Sequence, residues 1–358
     1  MIKRKDGRWQ EQIKLPGMDK PKYFYGRTQK EVLKKLAEYR GEVERGKLFE
    51  ECVDEWAAWH EKQVSYNGAN AYNAAIKQVK DQFGGRSIKD IKPDEIDAFI
   101  RWVAGRGYAR RTVQMRLDLL NMAFDYAVVH LWCDSNPCAS VSLPKGLHRG
   151  RRELPERAQI ERIKSGFGLP FGLFACALLY SGLRRGELMG LRWEDIDRQT
   201  DTIYVRRSVY FVDNAPHLKA PKTEKGVRQV PLLAPLKAEL PEGGAGYLFH
   251  MGDDPERLMT KSSVRKRWLA WCKAVGIAHQ EGETWRADVT PHQLRHEYAT
   301  TLYDAGIDVG DAKDMLGHST EAVTRDIYTH IRQSRRKATA ERLNEFLCQE
   351  DVRDGGKR

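Results

Sequence analysis

Residues 290–330 contain three short motifs rich in histidine, arginine and tyrosine. The first begins with Thr290-Pro291, which predicts a helix start, because threonine is a favoured N-cap and proline is favoured at the first helical position. His292 and Arg295 then lie three residues apart on one face of the first turn. Free backbone N–H groups and the positive end of the helix dipole favour an anion there. The segment is therefore predicted to bind a phosphate group.

The other two motifs follow in the same stretch: Leu316-Gly317-His318-Ser319 and Asp326-Ile327-Tyr328-Thr329-His330. Apolar residues recur at helical spacing around the last motif, at Val323, Ile327 and Ile331. Tyr328 lies with Thr324 beside this predicted stripe and away from its centre, so we expect the tyrosine hydroxyl to face a cleft. A tyrosine in such a place is usually only a packing residue. The functional interpretation depends on the three motifs occurring together.

Metal and disulfide chemistry are both disfavoured. His292 and His296 are four residues apart, but no carboxylate lies between them as the zincin pattern requires. Cys133 and Cys138 could form half of a zinc site, but there is no second half, so reduced thiols are the better interpretation. The other four cysteines are scattered along the chain, at Cys52, Cys176, Cys272 and Cys348. We expect no metal and no other cofactor.

The charge balance suits a polyanionic partner. Lysine and arginine exceed acidic residues by 61 to 50, which gives a formal net charge of +11, although basic enzymes of other kinds can carry a similar charge. The 358 residues are enough for two or three domains. The sequence has no evident signal peptide and no apolar run long enough to span a bilayer. We therefore expect a soluble cytoplasmic protein without a membrane partner.

Residues 1–47 predict a small β-sheet backed by one helix. Two alternating runs, 8–13 and 22–25, flank a turn-rich segment at 16–19. A helix is predicted over 29–44, with an apolar face made of Val32, Leu33, Leu36 and Tyr39. The first 48 residues carry 14 lysines and arginines against 7 acids. Aromatic residues interleaved with cations on a small sheet are typical of a DNA-groove reader, and a solubilising appendage is the alternative.

Residues 48–141 predict four amphipathic helices in a compact bundle. One apolar face consists of Phe49, Cys52, Trp56 and Trp59, and another of Val113, Leu117, Leu120, Phe124 and Ala127. Three arginines begin the last helix on positions predicted to be exposed, as phosphate contacts or as solvated charges: Arg110, Arg111 and Arg116. Residues 142–152 are predicted to form a flexible basic linker with four further candidate DNA contacts: Lys145, Arg149, Arg151 and Arg152.

From about residue 153 the chain predicts helices and then strands. A buried helix is predicted to end at Ser181-Gly182, so Arg184 follows a glycine break between two apolar helices and becomes a fixed cation. Glu187, one turn later, could orient Arg184 through a carboxylate–guanidinium fork, and a plain structural ion pair is the alternative. Strands are predicted at 202–205, 217–219 and 227–231, followed by a helix at 262–275. The last two strands flank a predicted hairpin tip, 220–226, with two lysines.

Five segments in this order resemble the motifs of the tyrosine recombinases, the phage-integrase family: 181–188 (Ser-Gly-Leu-Arg-Arg-Gly-Glu-Leu), 221–223 (Pro-Lys-Thr), 292–296 (His-Gln-Leu-Arg-His), 316–319 (Leu-Gly-His-Ser) and 327–330 (Ile-Tyr-Thr-His). The resemblance implies a multidomain fold that is mainly α with α+β parts. It implies an arm-site DNA-binding domain of sheet plus helix over 1–47 and a helical core-site DNA-binding domain over 48–141. A mixed α/β catalytic domain would follow the linker over 153–347, with a tail over 348–358.

The same resemblance implies DNA strand exchange through a covalent 3′-phosphotyrosine at Tyr328. A phenol with a pKa of about 10 is a poor nucleophile until its proton is removed and the phosphate is made electrophilic. Arg184 and Arg295 would grip the non-bridging oxygens and stabilise the charge of the transition state. The remaining roles implied are His292 as general base or acid, His318 as hydrogen-bond donor to the phosphate, Lys222 as general acid with Lys219 or Lys225 as the fallback, and Glu187 as a supporting acid.

The implied partners are double-stranded DNA attachment sites, a homotetramer on DNA, and an accessory DNA-bending or directionality protein. The implied role is the integration or excision of a phage or other mobile element in a bacterial cytoplasm, in association with the nucleoid. Residues 335–347 are predicted to form a helix that docks on a neighbouring subunit. A type IB topoisomerase-like DNA relaxase is the alternative enzyme, and a catalytically silent DNA-binding regulator is the alternative from another class.

Overall fold

The computed structural model describes residues 1–14, 20–148, 154–219, 228–329 and 331–333, without the side chains of 42–45. The chain divides into two compact units, residues 1–151 and 152–358. Several features singled out by the sequence lie outside the described residues: the turn at 16–19, Arg149, Arg151, Arg152, the segment with Lys222 and Lys225, His330 and the tail helix at 335–347.

The first unit begins with a three-stranded antiparallel sheet and one helix. Its strands, in the order β1-β2-β3, are β1 (Ile2–Lys3), β2 (Trp9–Ile13) and β3 (Lys22–Gly26). Helix α1 (Gln29–Arg45) packs on β2 and β3 and buries Val32 and Leu36. The predicted sheet and helix are therefore confirmed. Leu33 was expected on the same face but is exposed, because it lies to one side of the buried stripe.

Helices make up most of the rest of this unit: α2 (Phe49–Glu61), α3 (Tyr66–Asn70), α4 (Asn73–Phe83), α5 (Pro93–Gly105) and α6 (Arg110–Val129), with short 3-10 turns at Ile88–Asp90 and Pro137–Ser140. The sequence predicted four helices in this region, and the described structure has five, α2 to α6. All five residues of the predicted apolar face of α6 are buried. On α2, Phe49, Cys52 and Trp56 are buried as expected, whereas Trp59 is half exposed and contacts the Tyr126 ring.

Arg116 differs from its prediction. Arg110 and Arg111 are exposed, but Arg116 is only 8% exposed, so its predicted exposed position is wrong. Its guanidinium donates to Gln78 Oε1 at 2.9 Å and to the carbonyl oxygen of Thr112 at 3.0 Å. The helical face that Arg116 occupies turns toward α4, which explains its burial.

The second unit contains eight described helices: α7 (Arg157–Ser165), α8 (Gly172–Ser181), α9 (Arg185–Met189), α10 (Ala234–Glu239), α11 (Lys261–Ala274), α12 (Pro291–Asp304), α13 (Val309–Leu316) and α14 (321–329). Helix α8 is buried along nearly its whole length, as predicted from its apolar sequence, and it packs against α12. A separate apolar cluster joins α12, α13 and α14 and includes Tyr298, Leu316 and Tyr328.

The strands of the second unit form small antiparallel sheets. They are β4 (Ile196–Asp197), β5 (Thr202–Val205), β6 (Ser208–Val212), β7 (Ala215–Lys219), β8 (Arg228–Pro231), β9 (His250–Met251), β10 (Asp254–Leu258), β11 (Ala278–Glu281) and β12 (Thr284–Ala287). One sheet has the order β4-β5-β8, and β6 pairs with β7. The strands at 217–219 and 227–231 were expected to form one hairpin, but β7 pairs with β6 and β8 with β5 in the described part. The sequence analysis did not predict β6, which is the strand that pairs with β7.

Within the described ranges, the longest apolar helices fall short of what a bilayer crossing requires.

Candidate active site

A sharp turn after α8 places the first arginine. Gly182 has a φ of +61° and forms the C-cap of α8. A Cβ atom there would lie 2.2 Å from Cδ1 of Tyr298, so both the backbone angle and the close approach of the ring require glycine. The chain turns directly into α9, where Arg184 is the N-cap residue. The predicted glycine break thus fixes the direction in which Arg184 leaves the backbone.

Glu187 binds two arginines from different parts of the unit. Its Oε1 accepts from Arg184 Nη1 at 2.8 Å and from Arg228 Nη1 at 2.8 Å, while its Oε2 accepts from Arg228 Nη2 at 2.7 Å. Burial alone would raise the pKa of Glu187, but the hydrogen bonds and charge of Arg228, with the charge of Arg184, lower it to about 2. The carboxylate is therefore ionised at neutral pH and holds both guanidinium groups. Arg184 makes one guanidinium bond to Glu187 rather than the predicted fork. The two-pronged pair is with Arg228, which the sequence did not reveal.

Arg295 is a buried cation, only 4% exposed. Its Nη1 donates to the carbonyl oxygen of Gly182 at 2.5 Å, and its Nη2 donates to the carbonyl oxygen of Leu316. Burial and the nearby charge of Arg184 lower the pKa of Arg295 to about 9, so the group is still protonated at pH 7. Two backbone carbonyls at the ends of α8 and α13 thereby hold its charge in place.

The turn after α13 brings a third segment to Arg184. Gly317 has a φ of +63°, and its carbonyl oxygen accepts from Arg184 Nη2 at 2.5 Å. A Cβ atom on Gly317 would lie 2.7 Å from Cζ of Arg228, so the glycine leaves room for that guanidinium. The next residue, His318, has its Nδ1 2.8 Å from Oγ1 of Thr324. Burial, together with the charges of Arg295 and Arg184, lowers the pKa of His318 to about 4, so the ring is neutral at pH 7.

A cavity of about 560 Å³ opens between the turn after α8 and the first turn of α12, and we call it the cation pocket. His318 is not among its lining residues. Its lining includes Arg184, Arg185 and Arg295 together with His292 and Gln293 from the first turn of α12. Thr290 is the N-cap of α12 and Pro291 its first residue, as predicted, and the side chain of Gln293 accepts from the Thr290 backbone N–H at 2.8 Å. Three cations and a helix N-terminus at one cavity suit a phosphate group.

Arg185 is a pocket residue for which the sequence suggested no role. Its guanidinium lies 6.0 Å from the centre of the Phe211 ring, and burial lowers its pKa from the usual value. The signal in the sequence was its place beside Arg184 at the start of a helix. Because neighbouring residues at a helix start can both reach one cavity, that signal could have identified it.

Tyr328 does not line the cation pocket in this structure. The residue is 9% exposed, its hydroxyl donates to the carbonyl oxygen of Ile307 at 3.2 Å, and its ring packs edge-on against Tyr303 at 5.1 Å. The expectation that its hydroxyl faces a cleft is therefore wrong here. The cause is the orientation of α14, whose buried face carries Thr324 and Tyr328, whereas Val323 of the predicted apolar stripe is 42% exposed. Burial raises the pKa of the Tyr328 phenol.

The remaining candidates lie apart from the pocket or outside the described residues. Lys219 ends β7, is exposed and pairs across the strand with Ser208. Lys222 and Lys225 belong to the residues that are not described. Lys145, in the first unit, is exposed. Histidine, cysteine and acidic side chains in the described ranges form no group of three that could hold a metal ion.

Comparisons with known proteins cover most of the chain. Residues 167–335 match the model of the phage integrase family, and residues 49–143 match that of the phage integrase central domain. The chain is 26% identical over 381 aligned positions to the tyrosine recombinase XerC-like protein of Caldanaerobacter subterraneus subsp. tengcongensis, covering 91% of this chain and 92% of that protein. It is 30% identical to the tyrosine recombinase XerC of Halalkalibacterium halodurans, covering 64% of this chain and 74% of that protein.

The fold is also similar to that of a solved structure. The Tn1549 transposon integrase in complex with a circular intermediate DNA matches with a TM-score of 0.66 and 21% sequence identity, covering 83% of this chain and 99% of that one. This likeness confirms the predicted multidomain, mainly helical fold with small sheets.

Proposed function

The chain belongs to the phage integrase family and is a site-specific tyrosine recombinase, and we propose that its cation pocket binds the DNA phosphodiester that is cut and rejoined. The observation that carries this proposal is the convergence of three segments at one place. Arg184 follows α8, Arg295 comes from α12, and His318 follows α13, with direct hydrogen bonds from both arginines to the neighbouring backbone. Fixed cations at a single phosphate stabilise the charge that grows in a phosphoryl-transfer transition state.

In the proposed reaction the oxygen of Tyr328 attacks the phosphorus atom and the bond to the 5′ oxygen breaks. The phenol loses its proton, the 5′ oxygen gains one, and the phosphate stays linked to the 3′ strand as a phosphotyrosine. Arg184 and Arg295 would bind the non-bridging oxygens, and His318 would donate a hydrogen bond to one of them. His292 would take or return the proton of the phenol, and Lys222 would protonate the leaving oxygen. Glu187 would hold Arg184 in position. No metal or nucleotide takes part in these steps.

The buried position of Tyr328 adds a requirement to this reaction. Its hydroxyl must leave the carbonyl oxygen of Ile307, 3.2 Å away, before it can reach a phosphate in the pocket. Breaking one such hydrogen bond costs about 1 kcal/mol, which contacts with DNA can offset. We infer that binding of a DNA site is coupled to rotation of the Tyr328 side chain away from Ile307, while α14 itself stays in place.

We propose double-stranded attachment-site DNA as the partner and a multimer as the working form. Exchange between two duplexes requires four strand cleavages, and one tyrosine per subunit makes a tetramer the smallest complete set. We further propose a phage or other mobile element as the source of the DNA, with an accessory DNA-bending protein setting the direction of recombination.

The domains would divide the work. Residues 1–47 would bind arm sites, and residues 48–141 would bind core sites through Arg110 and Arg111. Residues 153–347 would carry the chemistry. The basic stretch 142–152, with Lys145, would add contacts to the DNA backbone. The structure accounts for Arg116 by its bonds within the bundle.

A covalent-adduct assay tests the assignment of Tyr328. The full chain is incubated in EDTA with a nicked duplex whose sequence is taken from the direct repeats that flank the element, and adducts are separated by denaturing electrophoresis. We expect an adduct with the wild type and with Tyr180→Phe, a tyrosine that does not line the pocket and packs against Phe167, and none with Tyr328→Phe. An adduct that persists in Tyr328→Phe contradicts the assignment. Relaxation of supercoiled DNA without joined product from two sites would favour the topoisomerase-like alternative.

A further inference from the structure

Thr324 is a buried polar residue to which the reaction above gives no role. Its side chain is fully buried on α14, one helical turn before Tyr328. Its Oγ1 lies 2.8 Å from Nδ1 of His318, the ring that would donate a hydrogen bond to the phosphate. A threonine hydroxyl can act as donor or acceptor, and so can a ring nitrogen, so the direction of this bond determines what the ring can do.

A neutral imidazole carries one N–H group, on Nδ1 or on Nε2. The ring of His318 is neutral at pH 7 because burial and the arginines nearby oppose its protonation. If Nδ1 carries the proton, Nε2 presents a lone pair, which repels a phosphate oxygen. If Nε2 carries the proton, it can donate to that oxygen. The partner of Nδ1 therefore decides whether His318 can bind a phosphate.

We propose that Thr324 is a positioning residue whose hydroxyl donates to Nδ1 of His318 and so keeps the single ring proton on Nε2, where it can bind the phosphate. This inference rests on the proposed function of His318. Nδ1 of His318 is the hydrogen-bond partner of the buried Thr324 hydroxyl among the described residues, so a hydroxyl proton donated there fixes both the tautomer and the orientation of the ring. Removing the hydroxyl leaves the buried nitrogen without its donor and makes the unproductive tautomer accessible.

The position of Thr324 also connects the imidazole to the nucleophile. Thr324 and Tyr328 lie four residues apart on α14, so both move with that helix. The imidazole is held in its donating state only while α14 lies where Thr324 can reach it. The position of α14 therefore affects the reaction twice, through the tautomer of His318 and through the placement of Tyr328.

Single-turnover cleavage of the nicked duplex tests the role of the hydroxyl. Thr324→Val keeps the shape of the side chain and removes the donor, and we expect cleavage to slow about tenfold, which corresponds to the loss of one hydrogen bond. Thr324→Ser keeps the hydroxyl and is expected to stay within about twofold of the wild type. Thr301→Val removes an exposed hydroxyl that bonds along its own helix to the carbonyl oxygen of Glu297, and it serves as the control for the same substitution on a helix outside the site.

A double-mutant cycle separates this role from a structural one. In a His318→Gln background the hydroxyl has no imidazole to orient, so Thr324→Val is expected to cause little further loss. An equal tenfold loss in both backgrounds would mean that Thr324 acts through packing alone and would overturn the inference.

The tautomer itself is measured without DNA by 15N NMR of the histidine-labelled protein, with His318→Gln identifying the signal. We expect a protonated Nε2 and an unprotonated Nδ1 in the wild type, and a shift toward a protonated Nδ1 in Thr324→Val. A protonated Nδ1 in the wild type would refute the inference even if the recombinase is fully active. The expected tautomer in a protein that forms no adduct would instead refute the proposed function.

Discussion

Glu187 and Arg228 form a two-pronged ion pair, with hydrogen bonds of 2.8 and 2.7 Å between the carboxylate and the guanidinium. Both side chains are mostly buried, and the same carboxylate also holds Arg184. Such a buried, doubly hydrogen-bonded pair stabilises the fold only while both partners are present, because the loss of one leaves a buried charge without a counter-ion. Glu187 thus links β8 to the turn that presents Arg184 in the cation pocket.

Replacing Glu187 with Gln is expected to impair both stability and cleavage. The amide cannot balance two guanidinium charges, and breaking a buried pair in this way costs about 3–5 kcal/mol. Urea denaturation of the two proteins measures the loss, and the adduct assay should show slower cleavage. Glu256→Gln breaks an exposed pair with Arg192 and should change stability far less. Equal effects of the two substitutions would show that burial of Glu187 does not matter.

The stability of the protein should fall as the pH is lowered from 6.5 toward 4, because of His318. Its pKa in the folded chain is about 4, below the ordinary value of 6.5, so the unfolded chain binds a proton first in that range. Protonation therefore favours unfolding, and the loss is complete only below the folded pKa. Urea denaturation at several pH values should give a smaller slope over this window for His318→Gln. The same slope in both proteins would contradict the prediction.

The sequence predicted the elements and most pocket residues because their signals are local. The N-cap at Thr290, the glycine break at Gly182 and the ion pair between Arg184 and Glu187 each lie within one helical turn. Arg228 could not be found in this way, since it reaches Glu187 across 41 residues and depends on how β8 pairs with β5.

The buried face of α14, which includes Tyr328, could not be predicted from the sequence either. Spacing alone suggested that Val323, Ile327 and Ile331 would point inward. Ile331 is buried as predicted, but packing against α12 and α13 also buries Thr324 and Tyr328 and leaves Val323 exposed. Amphipathic spacing identifies a helix, but tertiary contacts decide which of two adjacent faces is covered.

Gly182→Ala is expected to damage the site through two separable effects. The positive φ of +61° alone costs an alanine about 1 kcal/mol, and the Cβ atom would also clash with the Tyr298 ring at 2.2 Å. Gly306→Ala is the control, because Gly306 has a φ of +73° with open space around it and should show only the backbone cost. Thermal denaturation should show a clearly larger loss for Gly182→Ala, with slower adduct formation. A similar loss in both variants would show that the ring moves aside without cost.

Tyr298→Phe is expected to stabilise the protein. The hydroxyl of Tyr298 is buried and has no hydrogen-bond partner among the described residues, and burial raises its pKa to about 12. An unpaired buried hydroxyl costs about 1–3 kcal/mol, which phenylalanine avoids while keeping the ring against Gly182. Thermal denaturation should show a higher Tm, with adduct formation unchanged. A lower Tm would reveal a partner for the hydroxyl in solution.

Arg111 and Arg116 should separate DNA binding from folding in the first unit. Arg111 is exposed at the start of α6, so Arg111→Ala is expected to leave stability unchanged. The slope of log K for DNA binding against log salt concentration should become less steep by about the amount that one phosphate contact contributes. Arg116 instead bonds to Gln78 and to the Thr112 carbonyl, so Arg116→Met is expected to lower stability by about 1–3 kcal/mol. Fluorescence anisotropy at several salt concentrations and urea denaturation measure the two quantities for each variant. If Arg111→Ala lowers stability and leaves the salt dependence of DNA binding unchanged, the assignment of Arg111 to the DNA backbone is wrong. The charge of Arg111 would then stabilise the helical bundle rather than bind a phosphate.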